Sequence, residues 1–168
     1  MGLIFRCDFL SKIRATKVLS YCFSGNGLDC CYKFIELEGL ALLLQSIKGK
    51  DNQRFKRRYK TFVERDYNEH LISILFSVFK FFHSDESIMG FLMAQLYRKE
   101  LFLLKLFFAR MNEYKEHLNA YMKDLPVDEM STDEIYFEKL DNGLLPLEMQ
   151  SVIIAIIYSF SDDEVNIY

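Results

Sequence analysis

The chain has 168 residues, 51% apolar and 27% charged, which is enough apolar side chain for a packed core and argues against intrinsic disorder. Its 21 basic and 24 acidic residues leave a net charge of -3, so the total demands no nucleic-acid or membrane partner and only local clusters can supply one. Two prolines and 7 glycines set against 16 Phe and 10 Tyr favour long helices over a turn-rich sandwich, and predict an all-α fold.

The opening Met1 to Asp8 holds Arg6 and Asp8 inside any candidate apolar region, and Arg6 stands where a myristoylation signal wants Ser or Thr. Neither secretion nor a lipid anchor is expected. In that setting Cys7, Cys22, Cys30 and Cys31 read as reduced thiols, and of the adjacent Cys30 and Cys31 one is expected to face inward. Ser11 is placed to cap a helix carrying Ile13, Val18, Leu19, Cys22 and Phe23, which Gly25-Asn26-Gly27 ends with a left-handed turn. A second helix is expected from about Leu28 to Leu37. Past Gly39 comes a third, apolar on nearly every side through Leu40, Leu42, Leu43, Leu44 and Ile47.

From 48 to 66 the apolar periodicity fades into a basic loop with a short helix at best. Asn68 to Phe82 predicts a central helix, again apolar around most of its circumference. Ser84 and Asp85 offer caps for a helix through Leu96, and Leu101 to Met122 predicts a separate, longer one. Residues 124–131 read as an acidic linker, after which Ser131 and Glu134 fit a capping box for a helix from about Thr132 to Leu140. Leu144 to Phe160 predicts a buried helix, since Pro146, Glu148 and Gln150 leave it short of a membrane span.

One pattern recurs. Phe34-x-x-Leu37-x-Gly39-Leu40 and Phe137-x-x-Leu140-x-x-Gly143-Leu144 each put a glycine between a mixed-face helix and an apolar one, as armadillo repeats do between their second and third helices. The two glycines lie 104 residues apart, about two and a half repeats of roughly 40 to 47 residues.

Catalytic constellations do not emerge from the spacing. His70, His83 and His117 form no i, i+4 pair, so no zinc site is expected, and Gly25-x-Gly27 lacks the third glycine and the Lys-Ser or Lys-Thr of a phosphate loop. Cys30 and Cys31 are adjacent and so point about 100° apart on a helix, which does not suit dithiol redox work. No cofactor and no enzymatic activity are predicted. Two charged segments are candidate surfaces. Arg54, Lys56, Arg57, Arg58 and Lys60, interleaved with Phe55 and Tyr59, can meet phosphates and bases, serve as a localisation signal, or simply form a solvated loop. The stretch from Asp124 to Asp141 has seven acids against Lys139 alone. Asp128, Glu129, Asp133 and Glu134 within it can receive a basic peptide, or match the basic loop within the chain.

The wording of three blocks is more specific than the period. Ala15-Thr16-Lys17-Val18-Leu19 followed by Asp29-Cys30-Cys31-Tyr32-Lys33-Phe34-Ile35 and Gly39-Leu40 resembles the A-L-K-V-L, D-N-C-H-K-F-V and G-L of the beta-catenin-like protein 1 family. Glu69-His70-Leu71-Ile72-Ser73-Ile74-Leu75 resembles its E-H-V-C-S-I-L, after a basic loop in both. Glu134-Ile135-Tyr136-Phe137-Glu138-Lys139-Leu140-Asp141-Asn142-Gly143-Leu144 is similar to its E-E-F-Y-L-R-R-L-D-A-G-L. The blocks are collinear from about Ala15 to Phe160 and look like the C-terminal part of the family pattern, either in a reduced protein or in a fragment.

The resemblance implies a single, irregular armadillo-like helical solenoid of two to three repeats over 1–168. It also implies a nuclear, non-enzymatic scaffold of pre-mRNA splicing, associated with the nineteen complex and binding basic nuclear-localisation-type segments of other splicing proteins. A small helical RNA-binding module using residues 54–60 is the alternative, and no membrane partner is expected.

Overall fold

The computed structural model describes residues 9–25, 27–49 and 52–165, with the side chains of 9, 54, 55, 58, 98–103 and 161–165 excepted. The described residues are helical almost throughout and include no strand: α1 Phe9–Phe23, α2 Leu28–Glu36, α3 Gly39–Ile47, α4 Asn52–Arg58, α5 Glu64–Phe82, α6 Glu86–Lys123, α7 Thr132–Asp141 and α8 Leu144–Val165, with a single 3-10 turn at Val127–Glu129. The all-α reading holds. Contacts divide the chain that the sequence presents as one domain into two compact units, Met1–Met89 and Gly90–Tyr168, with the division inside α6.

The first unit is built on α5. Leu71, Ile72, Ile74, Leu75, Val78, Phe79 and Phe82 are all buried, and α1, α2 and α3 pack against this helix. Each such side chain contributes about 1.5–3 kcal/mol when taken fully from water. The helix starts at Glu64, four residues before the expected Asn68, because Val63 is extended and Glu64 and Asp66 in the first turn favour the positive end of the helix dipole. The expected apolar α3 buries Leu40, Leu43, Leu44 and Ile47. Phe23 meets Phe34 edge to face at 5.2 Å, and Tyr32 meets Phe82 at 4.7 Å, which locks α2 to α1 and to α5.

At the start of α1 the expectation fails: Ser11 lies inside the helix, which already includes Phe9, and so is not its cap. The turn after α1 does use Gly25, at φ 70°. Cys7 lies outside the described residues.

In the second unit α6 runs unbroken, where a break between Leu96 and Leu101 was expected. The intervening Tyr97-Arg98-Lys99-Glu100 holds no Gly or Pro and is composed mainly of helix formers, so nothing stops the helix there. Its start is as predicted: Asp85 Oδ1 accepts a hydrogen bond of 3.0 Å from the Ile88 N–H. The expectation that α8 is buried needs correction. Pro146, Gln150, Ile153 and Ile157 are buried along one side, while Leu145, Val152 and Tyr158 are exposed. Among the described residues no single helix is long and apolar enough to cross a membrane.

Candidate functional site

The acidic segment is held by local chemistry rather than by burial. After α6 the chain passes through Pro126 into the 3-10 turn that carries Asp128 and Glu129, both exposed. Ser131 then caps α7 as expected. Its backbone N–H and its hydroxyl each donate to Glu134 Oε2 at 2.8 Å, and the Glu134 N–H donates back to Ser131 Oγ. The backbone N–H bond, followed by the hydroxyl bond, holds the Glu134 carboxyl below its usual range, against a small opposing effect of burial. Of the four acids named from sequence, Glu134 is therefore engaged by its own helix, while Asp128, Glu129 and Asp133 carry no ion pair among the described residues.

No residue of α7 is buried. The helix is fastened by Tyr121 of α6, whose hydroxyl donates a short hydrogen bond to Glu138, and by its junction with α8. That bond to a carboxylate is the main cause of the raised pKa of Tyr121. The axes of α7 and α8 meet at 75°, with Gly143 in the bend at φ 103°. What α7 turns outward is a surface of acids and rings: Asp133 and Asp141 are exposed, Tyr136 is 46% exposed and Phe137 63%. Lys139, the lone base of the segment, is half-buried. The two rings lie 6.4 Å apart, tilted by 56°. Sequence reading named the acids and missed the rings, because at helical spacing an aromatic residue reads first as core.

The basic segment looks different in three dimensions. Residues 52–58 form α4, and Glu64 at the start of α5 ties this helix down: it accepts from buried Asn52 Nδ2 at 2.8 Å and pairs with Lys56 Nζ at 2.7 Å. Lys56 is thus committed within the chain, and Tyr59 is half-buried. Arg57 and Lys60 are exposed, while the side chains of Arg54, Phe55 and Arg58 lie outside the described residues.

His70 and Cys31 fill structural positions. Ser20 Oγ donates to the Lys17 carbonyl at 2.7 Å and shares a hydrogen bond of 2.9 Å with His70 Nδ1. Burial and then Lys17 hold the His70 pKa below its ordinary value, with Asp66 opposing. Ser20 is buried, and its bond to His70 ties α1 to α5. Fifty residues separate the two, and no motif in the sequence signals them. Cys31 is fully buried, its thiol pushed up to about 12 by burial and by neighbouring Cys30. Cys30 is exposed, so of the adjacent pair one thiol faces inward, as their positions on a helix require; Cys22 is exposed as well. Among the described residues no group of three or more His, Cys, Asp or Glu is placed to hold a metal ion.

Over residues 1–167 the sequence matches the model of the family described as catenin-beta-like, Arm-motif containing nuclear. The chain belongs to the catenin-beta-like family. The match covers essentially the whole chain, and the all-helical structure agrees with the armadillo-like fold that the resemblance implied. No curated protein and no solved structure matches the chain. The family description carries the word nuclear, which is the general setting of catenin-beta-like proteins.

Proposed function

We propose that this catenin-beta-like chain is a non-enzymatic interaction scaffold of pre-mRNA splicing, acting in the nucleus with the nineteen complex and receiving basic nuclear-localisation-type segments of its partners. The observation that carries this reading is α7, a helix with no buried residue whose outer surface combines unpaired acids with exposed rings. Asp128, Glu129 and Asp133 supply the charge that a lysine- and arginine-rich segment requires, and their exposure lets it approach without desolvating a core. Membership of an Arm-motif family supports a binding rather than a catalytic role.

The test is binding of a labelled basic nuclear-localisation-type peptide to the full chain and to the Asp128→Lys, Glu129→Lys, Asp133→Lys triple variant. Loss of binding in the variant is expected. Unchanged binding removes this surface. Glu134→Gln serves as the control, since that carboxylate is engaged in the cap: the substitution should lower helix stability and leave peptide affinity nearly unaltered.

The RNA reading draws on exposed Arg57 and Lys60. The pairing of Lys56 with Glu64 and the partial burial of Tyr59 weaken it, because the first sets a carboxylate beside one exposed cation and the second covers part of a stacking ring. Arg57→Glu with Lys60→Glu should leave RNA retention unchanged; a marked loss that flattens the salt dependence would favour the RNA module.

A further inference from the structure

An aromatic side chain left largely in water on a helix that belongs to a folded unit needs a physical account. Phe137 is 63% exposed and lies on a helix that buries nothing. Its neighbours along the same ridge are Asp133 one turn before and Asp141 one turn after, both exposed and neither ion-paired among the described residues. Residues four apart on a helix stand about 5–6 Å from one another, so the ring is bracketed by two carboxylates within reach of one bound group. The ring of Tyr136 stands 6.4 Å away, centroid to centroid.

The face of a phenyl ring is electron-rich and attracts a cation, and carboxylates on either side add charge and hydrogen-bond acceptors. A guanidinium suits this arrangement better than an ammonium. It is planar, it can stack on the ring with its N–H groups directed outward, and it sheds water more readily. The ridge offers a flat apolar seat between two acceptors, which matches that plane and that fork.

We propose that Phe137 is the arginine-stacking ring of the basic-segment surface, with Asp133 and Asp141 accepting from the edges of the same guanidinium. The occupant is an arginine of a partner protein's basic segment, so the inference rests on the reading of α7 given above and adds to it a preference for arginine over lysine. Charge alone would bind both residues alike, and the ring adds a stacking contact that favours the guanidinium.

The experiment uses the full chain and two fluorescent peptides matched in length and charge, one carrying arginines and one lysines, with affinity followed by anisotropy. The arginine peptide should bind the wild type more tightly. Phe137→Leu, which keeps apolar bulk and removes the ring, should weaken the arginine peptide by about two- to fivefold, the range of an exposed cation–π contact, and bring it level with the lysine peptide. Phe137→Tyr should retain the preference. Because the side chain is exposed, each variant should melt like the wild type.

Equal binding of both peptides to the wild type, or an unchanged arginine affinity in Phe137→Leu, overturns the role of the ring while leaving the acidic surface standing. Failure of the wild type to bind either peptide overturns the basic-segment reading, and this inference with it.

Discussion

The two glycine junctions, α2 to α3 and α7 to α8, share a sequence pattern and solve different physical problems. At the first, Phe34 is 8% exposed and its ring lies where a Cβ on Gly39 would stand, so the glycine is there for space. The left-handed residue of that turn is its neighbour Glu38, at φ 58°. At the second, Gly143 itself takes the positive φ of 103°, and Phe137, the counterpart of Phe34, points to solvent. The spacing explains the difference. Phe34 precedes its glycine by five residues and Phe137 by six, and one added residue on a helix turns a side chain by about 100°. The first ring is rotated onto the junction and becomes core, while the second is rotated off it and becomes surface.

The largest effect should come from the crowded junction. Gly39→Ala forces the Phe34 ring aside and should cost about 1–3 kcal/mol in denaturant unfolding, and Phe34→Leu should relieve part of that loss in a double-mutant cycle. A neutral Gly39→Ala would break the comparison. Gly143→Ala should cost about 1–2 kcal/mol for a different reason, the left-handed backbone, and Phe137→Leu should give no relief. Coupling between positions 143 and 137 as large as that between 39 and 34 would show the two junctions to be alike after all.

Ser131→Ala removes the acceptor that fixes the start of α7 and should cost about 1 kcal/mol, read as loss of helix signal in the second unit. The smallest effect has the opposite sign. Glu38→Gly relieves a left-handed residue with a side chain and should stabilise the chain by about 0.5 kcal/mol, visible as a raised Tm.

What was legible in the sequence was local. The periodicity of α3 and α5, the Asp85 cap and the Ser131–Glu134 box rest on residues within a turn or two of one another, and each is present, α5 with an earlier start at Glu64. Boundaries inferred from weaker signals moved. Ser11 fell inside α1, and the polar stretch at 97–100 carried α6 onward because polarity alone does not stop a helix. Burial was harder to read, since α8 is apolar in composition and packs along only one side.

Of the candidate surfaces, the acids were named from the sequence. What singles out Asp133 from Glu134 is a hydrogen bond that composition does not record. The Lys56–Glu64 pair and the Ser20–His70 tie join separate elements, and nothing in either segment alone announces them. Phe137 shows the same limit from the other side: an aromatic residue at helical spacing looks like core until the packing shows that nothing covers it.

The measurement that tests the central claim most directly is a residue-by-residue amide NMR titration of the full chain with a basic nuclear-localisation-type peptide. The account predicts that the amides shifted most lie between Asp128 and Asp141, with α4 and the Arg57–Lys60 region unmoved. Shifts concentrated elsewhere, or none at saturating peptide, would contradict it.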